Sequence, residues 1–280
     1  MSMSLRAIAL RVVPLVTLMA LGAGGIAAGT AAAGTSATPQ RARIAQPPPV
    51  DHQLCYNASG QFAIPGGIRL INQFSPNGFV PAISARLVVH CNPVEKILPS
   101  GQVFPITNPS AHLACFPVST PSPQPTPTVV VTNQFGSATL LPGQPNILCA
   151  PSWKSLVGPP GQNPTTPPGL NHFTCYPVMV RSGAYKPPPV MLIDEFTHAP
   201  VPAQVSPVPQ ELCLPTEKIL PTGQIFPIIN PALHLLCFPV SQTPIISPVW
   251  DENQFGTSPV SIQSTKWLCA PSTKTVVSSN

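Results

Sequence analysis

EKILPSGQVFPITNPSAHLACFPVS, residues 95–119, returns as EKILPTGQIFPIINPALHLLCFPVS at residues 217–241, a constant offset of 122. A copy of that length marks a duplicated chain. Working outward from it exposes a shorter period. His-x-x-Cys-aromatic occurs four times: His52/Cys55/Tyr56, His112/Cys115/Phe116, His172/Cys175/Tyr176 and His234/Cys237/Phe238. A second motif follows each, its Phe 18 to 21 residues beyond the Cys: Asn72-Gln73-Phe74, Asn133-Gln134-Phe135, Asp194-Glu195-Phe196 and Asn253-Gln254-Phe255. Cys-x-Pro-x-x-Lys closes each unit: Cys91/Lys96, Cys149/Lys154, Cys213/Lys218 and Cys269/Lys274. The Phe-to-Cys spacing alternates 17, 14, 17, 14, so odd units resemble odd and even resemble even. A unit doubled, the pair diverged, and the pair doubled again.

The 42 prolines among 280 residues exclude long helices, because Pro removes a backbone donor and clashes with the preceding turn. Between them lie short β-rich runs such as Thr128–Thr132 (TVVVT) and Ile68–Ile71, bounded by Pro, Gly and Asn. The expected class is all-β: two similar Pro-rich antiparallel domains, sandwich or open barrel, each built from two disulfide-stapled units. The first domain is 51–154 (units 51–96 and 111–154) and the second 171–274 (units 171–218 and 233–274), with a Pro/Gly linker over 155–170 and a tail over 275–280. A unit of about 45 residues is too small to bury much surface without a staple.

Residues 1–33 read as a secretory signal: Arg6 and Arg11, an apolar run from Val12 to Ala28, then Ala31-Ala32-Ala33. Left uncleaved, this segment is the one predicted contact with a membrane. Residues 34–50 read as a disordered linker. Removing Arg6 and Arg11 from the formal +5 leaves 11 basic against 8 acidic residues, or +3, with no basic cluster. Nucleic acid is therefore not an expected partner.

Eight cysteines in an exported chain point to disulfides. Equivalent cysteines should pair equivalently, which reduces 105 pairings to two symmetric choices. Pairing between units strands Cys55 and Cys269, so the expected bonds are Cys55–Cys91, Cys115–Cys149, Cys175–Cys213 and Cys237–Cys269. Each closes a loop of about 33 to 39 residues counting both cysteines, worth about 4 kcal/mol on the chain-entropy model.

A metal-binding use of the HxxC motifs is the second alternative. It is opposed because residues i and i+3 of a strand face opposite sides. No cofactor and no catalytic residue is expected: the recurrent His sits at a scaffold position in all four units, and no nucleophile elbow, phosphate loop or zincin motif is present. Asp194-Glu195 and Asp251-Glu252 read as turn or solvated residues. The motif Phe should plug the core, Gly136 and Gly256 should take positive φ, and the motif Lys should snorkel along the surface. Asn57-Ala58-Ser59 is a glycosylation sequon.

In combination, HxxC[YF], [ND]QFG and LCxPxxK resemble an uncharacterised repeat domain of secreted bacterial proteins, often found in tandem. The resemblance covers 51–154 and 171–274, with departures at Ser75, Glu195 and Thr197. It implies export and tandem architecture and no reaction. The expected function is an exported, non-catalytic binding or structural protein of the cell envelope or extracellular space, with a ligand from that environment. An extracellular hydrolase is the first alternative.

Overall fold

Apolar runs of two to six residues, cut by Pro and Gly, fold as strands throughout. The computed structural model describes residues 50–161, 167, 169–242 and 248–278. The candidate leader 1–33, linker residues 34–49 and 162–166, residue 168 and the end of the tail lie outside the described residues. No helix occurs among the described residues, so none is long and apolar enough to cross a membrane.

Unit 1 contains β1 (His52–Gln61), β2 (Arg69–Ile71), β3 (Ala82–Ile83) and β4 (Arg86–Ile97). The connector strand β5 (Val103–Phe104) leads to unit 2, with β6 (His112–Ser119), β7 (Thr128–Asn133), β8 (Gly136–Pro142) and β9 (Ile147–Ser155). Unit 3 contains β10 (His172–Tyr185), β11 (Val190–Ile193), β12 (Val201–Val205) and β13 (Glu211–Ile219). A second connector, β14 (Ile225–Phe226), leads to unit 4, with β15 (His234–Ser241), β16 (Pro248–Asn253) and the long β17 (Gly256–Ser278).

The first and last strands of every unit line up in one antiparallel cycle. In order it runs β1, β4, β6, β9, β10, β13, β15, β17 and back to β1. This is a closed eight-stranded barrel, a size whose interior side chains just fill. Each disulfide joins directly opposed residues of one unit's two barrel strands: Cys55–Cys91, Cys115–Cys149, Cys175–Cys213 and Cys237–Cys269. Their Cα atoms lie 3.9–4.0 Å apart, nearer the close, non-hydrogen-bonded kind of cross-strand pair than the wide one.

Period two then sorts the side chains. All eight cysteines pack inside with Val89, Leu113, Ile147, Phe173, Leu235 and Trp267, leaving an interior void of about 10 Å³. Sulfurs of neighbouring disulfides approach to 3.7 Å between Cys55 and Cys269. The residues flanking each Cys point outward into a second apolar layer, where Leu54, Tyr56, Phe116, Tyr176, Leu212 and Phe238 meet the hairpins of the [ND]-[QE]-Phe motif.

Those hairpins do not stay at home. β2 pairs with β13, β11 with β4, β7 with β17 and β16 with β9, so each reaches the last strand of the unit two places away. The expectation of two domains is therefore corrected. β9 of the first half pairs with β10 of the second, β17 closes onto β1, and the described residues form one compact unit. The reason lies in edge strands. A half brings only four barrel strands and would leave two open edges, whereas four units close the ring.

Candidate functional site

The strand that puts Cys inside puts the motif His outside, and the same holds for Lys five residues beyond the second Cys. The result is four equivalent joints, in which one unit's His and Lys meet the Gln-Phe or Glu-Phe of the next. In the first joint His52 Nε2 lies 2.9 Å from Lys96 Nζ and also accepts from the Gln134 amide. Lys96 sits over the rings of Phe104 and Phe135 at 4.1 and 5.0 Å. In the third, Gln254 reaches His172 at 2.9 Å, and Lys218 sits over Phe226 and Phe255 at 4.3 and 4.6 Å. In the fourth, His234 faces Gln73 at 3.3 Å and Lys274 lies 4.9 Å from the ring centre of Phe74.

The Asn or Asp that opens the motif aims it. Asn72, Asn133, Asp194 and Asn253 each accept the backbone N–H of their Phe through Oδ1, at 2.8–3.0 Å. This is the side-chain turn that Asx residues make. Phe74, Phe135, Phe196 and Phe255 are buried, and each packs edge-on against the HxxC aromatic of the unit opposite. Gly136 and Gly256 hold φ of 139° and 111°.

The lysines are not surface residues. Lys96 and Lys218 are fully buried inside β4 and β13, each with its Nζ against the faces of two aromatic rings. Burial lowers Lys96 to about 7, Lys218 to about 6 and Lys274 to about 8. It likewise pushes His52 to about 3 and His234 to about 4, with His172 well below its ordinary value. Desolvation of the charged form is the leading cause throughout.

The second joint differs. Here the motif reads Asp194-Glu195, and Glu195 Oε2 lies 2.7 Å from Lys154 Nζ and 3.8 Å from His112 Nε2. Comparing the units column by column shows further departures around it. The residues flanking Cys91 are His90 and Asn92, where the other units have Leu148/Ala150, Leu212/Leu214 and Leu268/Ala270. Opposite Lys154 in the ladder stands Asp251, where the others have Leu70, Val131 and Leu192.

These departures join one network. Asn92 Oδ1 accepts from Lys154 at 2.8 Å and lies 3.2 Å from His112 Nδ1. Asp194 Oδ2 accepts from Asn92 Nδ2 at 3.0 Å and from Tyr56 Oη at 2.7 Å. His90 Nδ1 lies 3.2 Å from Asp251 Oδ2, a close polar contact whose angles fall short of a hydrogen bond, and the His90 ring stacks on His112. Lys154 also sits 4.3 Å from the centre of the Phe196 ring. Burial lowers Lys154 against the opposing pull of Glu195, Asp194 and Asp251, and burial, Lys154 and His90 hold His112 well below its ordinary range.

Asp194 and Asp251 are thus buried network members, not solvated residues; Asp194 does open a turn, while Asp251 lies in β16. Only Glu195 emerges, with 40% of its side chain exposed. It does so in a cavity of about 480 Å³ bordered by Glu95, Ile106, His112, Lys154 and Asp194, within the size range of ligand sites. The metal reading of HxxC loses its thiolates, since every cysteine is in a disulfide inside the barrel while each His lies outside. Asn57 lies in β1, donating to Ser264 at 2.9 Å and accepting from Lys266. The sequence signal for this site was the set of departures at His90, Asn92 and Asp251.

No curated protein and no solved structure matches the chain. Residues 94–271, more than half of the chain, match a family described as "Repeat of unknown function (DUF7450)", and the chain belongs to that family.

Proposed function

We propose that this chain is an exported, non-catalytic binding protein of the cell envelope or extracellular space, and that the cavity at the second joint seats its ligand. One observation carries the reading. Of four equivalent joints, one has been made ionic, at the expense of apolar core, and it opens onto a cavity. Buried polar networks cost stability relative to an apolar core unless fully satisfied. The other three joints do the scaffold's work without the extra charges. Four buried disulfides suit an oxidising compartment, in keeping with export. Glu195, Glu95, His112 and Lys154 offer acceptors and donors together, which fits a polar ligand presenting both, held by charge-assisted hydrogen bonds.

The test is calorimetric titration of the full chain, disulfides intact, with soluble glycans, short peptides and amino acids. Saturable binding that weakens at least tenfold in Glu195→Gln supports the proposal. Turnover of glycoside, ester or peptide substrates that is lost in the same variant would favour the hydrolase instead.

A further inference from the structure

The copied connectors meet at one end of the barrel. Asp51 clamps the first by accepting from Thr107 N and Asn108 N, both at 2.7 Å. Asn171 clamps the second by accepting from Ile229 N at 2.7 Å and Asn230 N at 3.1 Å. Between the clamps lies a mouth of about 450 Å³, bordered by Ala111, Leu170, Ile229 and Leu233 among others. Ile229 is 58% exposed on its rim.

Gln53 lines both this mouth and the barrel interior beneath it. It is 1% exposed, and among the described residues neither its amide nitrogen nor its amide oxygen has a hydrogen-bond partner. The equivalent residues of the other units are Leu113, Phe173 and Leu235, so the position does not require an amide. A buried polar group left unpaired needs an explanation. The interior supplies none: it is walled by the cysteines, Leu113, Phe173, Leu235 and Trp267, and its void of about 10 Å³ is at the limit for one water. Both amide atoms are closed to solvent in the resting structure, so a partner reaches them only from the mouth, as the Gln53 side chain turns toward it.

We infer that the mouth of the barrel is a second binding site, for a small neutral molecule with an apolar body and an amide-type head. An amide head pairs its own donor and acceptor with those of Gln53. The apolar body covers Leu170, Leu233 and Ile229. A charged head is disfavoured, because entering the site would strip its water without offering a counter-charge at Gln53. The site is distinct from the cavity at Glu195 and does not depend on it.

The experiment titrates the full chain, disulfides intact, with benzamide and hexanamide, with benzoate as the charged control. Binding is read by calorimetry and by the melting temperature. Saturable amide binding is expected, at least tenfold tighter than benzoate. Gln53→Leu, which installs the residue of two other units, should melt no lower than the parent and bind the amides at least tenfold more weakly. The inference is overturned if neither amide saturates at millimolar concentration, if Gln53→Leu binds unchanged, or if that variant melts lower, which would reveal an internal partner for the amide.

Discussion

Replacing His90 and Asp251 together by the residues of the other units separates a network kept for binding from one needed for folding. Both side chains are fully buried. His90 Nε2 has no hydrogen-bond partner among the described residues, and Asp251 is held otherwise by Asn253 at 2.9 Å. Removing one member of a buried pair leaves the other uncompensated, so His90→Leu or Asp251→Val alone should cost about 3–5 kcal/mol. Replacing both with apolar side chains of similar size should be neutral or stabilising by up to about 4 kcal/mol. The pattern is a double-mutant cycle with a large favourable coupling between the two changes. For a chain of this size each kcal/mol moves the melting temperature by roughly 2–4 °C. Thermal melts of the four proteins, disulfides intact, provide the assay. A double variant that melts well below the parent would refute the reasoning, because the ionic joint would then be a structural requirement.

Three further outcomes follow from the same geometry. Folded His52 and His234 titrate near 3 and 4 against an ordinary 6.5. Below 6.5 the unfolded chain therefore takes up protons that the folded chain refuses, and stability falls as pH drops. At pH 4.5 the loss is about 2–3 kcal/mol per histidine, readable from denaturant midpoints at pH 7 and 4.5. Glu211 has the opposite slope: burial raises its carboxyl to about 7 from 4.5. The folded chain keeps a proton that the unfolded chain releases between those values, so stability is lost as pH rises. Glu211→Gln should then stabilise by about 3 kcal/mol at pH 8 and do little at pH 4 in the same denaturation assay. Finally, a Cβ on Gly136 would lie 2.6 Å from Ala184 O, whereas one on Gly256 meets nothing within 4 Å. Both hold positive φ, so each Ala variant costs about 1 kcal/mol or more of strain, and Gly136→Ala should melt clearly lower than Gly256→Ala.

The repeat made much of this architecture legible. Equivalent cysteines constrain one another, so symmetry alone reduces their pairing to two choices. Period two separates His52 from Cys55 onto opposite faces of β1, and the spacing of Pro and Gly limits elements to strands. What the repeat conceals is which copy a segment pairs with. β2 carries the same pattern as β7, β11 and β16, so nothing local tells it to seek β13 and not its own unit's last strand. That ambiguity hid the closed barrel behind an expectation of two domains. It also hid the burial of Lys96 and Lys218, which depends on Phe104, Phe135, Phe226 and Phe255 arriving from connectors and from neighbouring units. The ionic joint was visible as His90, Asn92 and Asp251 standing in columns of Leu, Ala and Val, but its meaning needed the geometry that brings unit 1, unit 2, unit 3 and unit 4 to one place.

The closed barrel itself is tested by cutting the chain between its halves. All four disulfides lie within one half or the other, so among the described residues non-covalent pairing, β8 and β9 with β10, β17 with β1, and the exchanged hairpins, holds the halves together after cleavage. A site-specific protease sequence inserted after Val157, which is 98% exposed, allows a single cut, and native mass spectrometry reads the product. One particle containing both fragments, separating only in denaturant, is the predicted result; two independently folded halves of about 100 residues, released without denaturant, would contradict it.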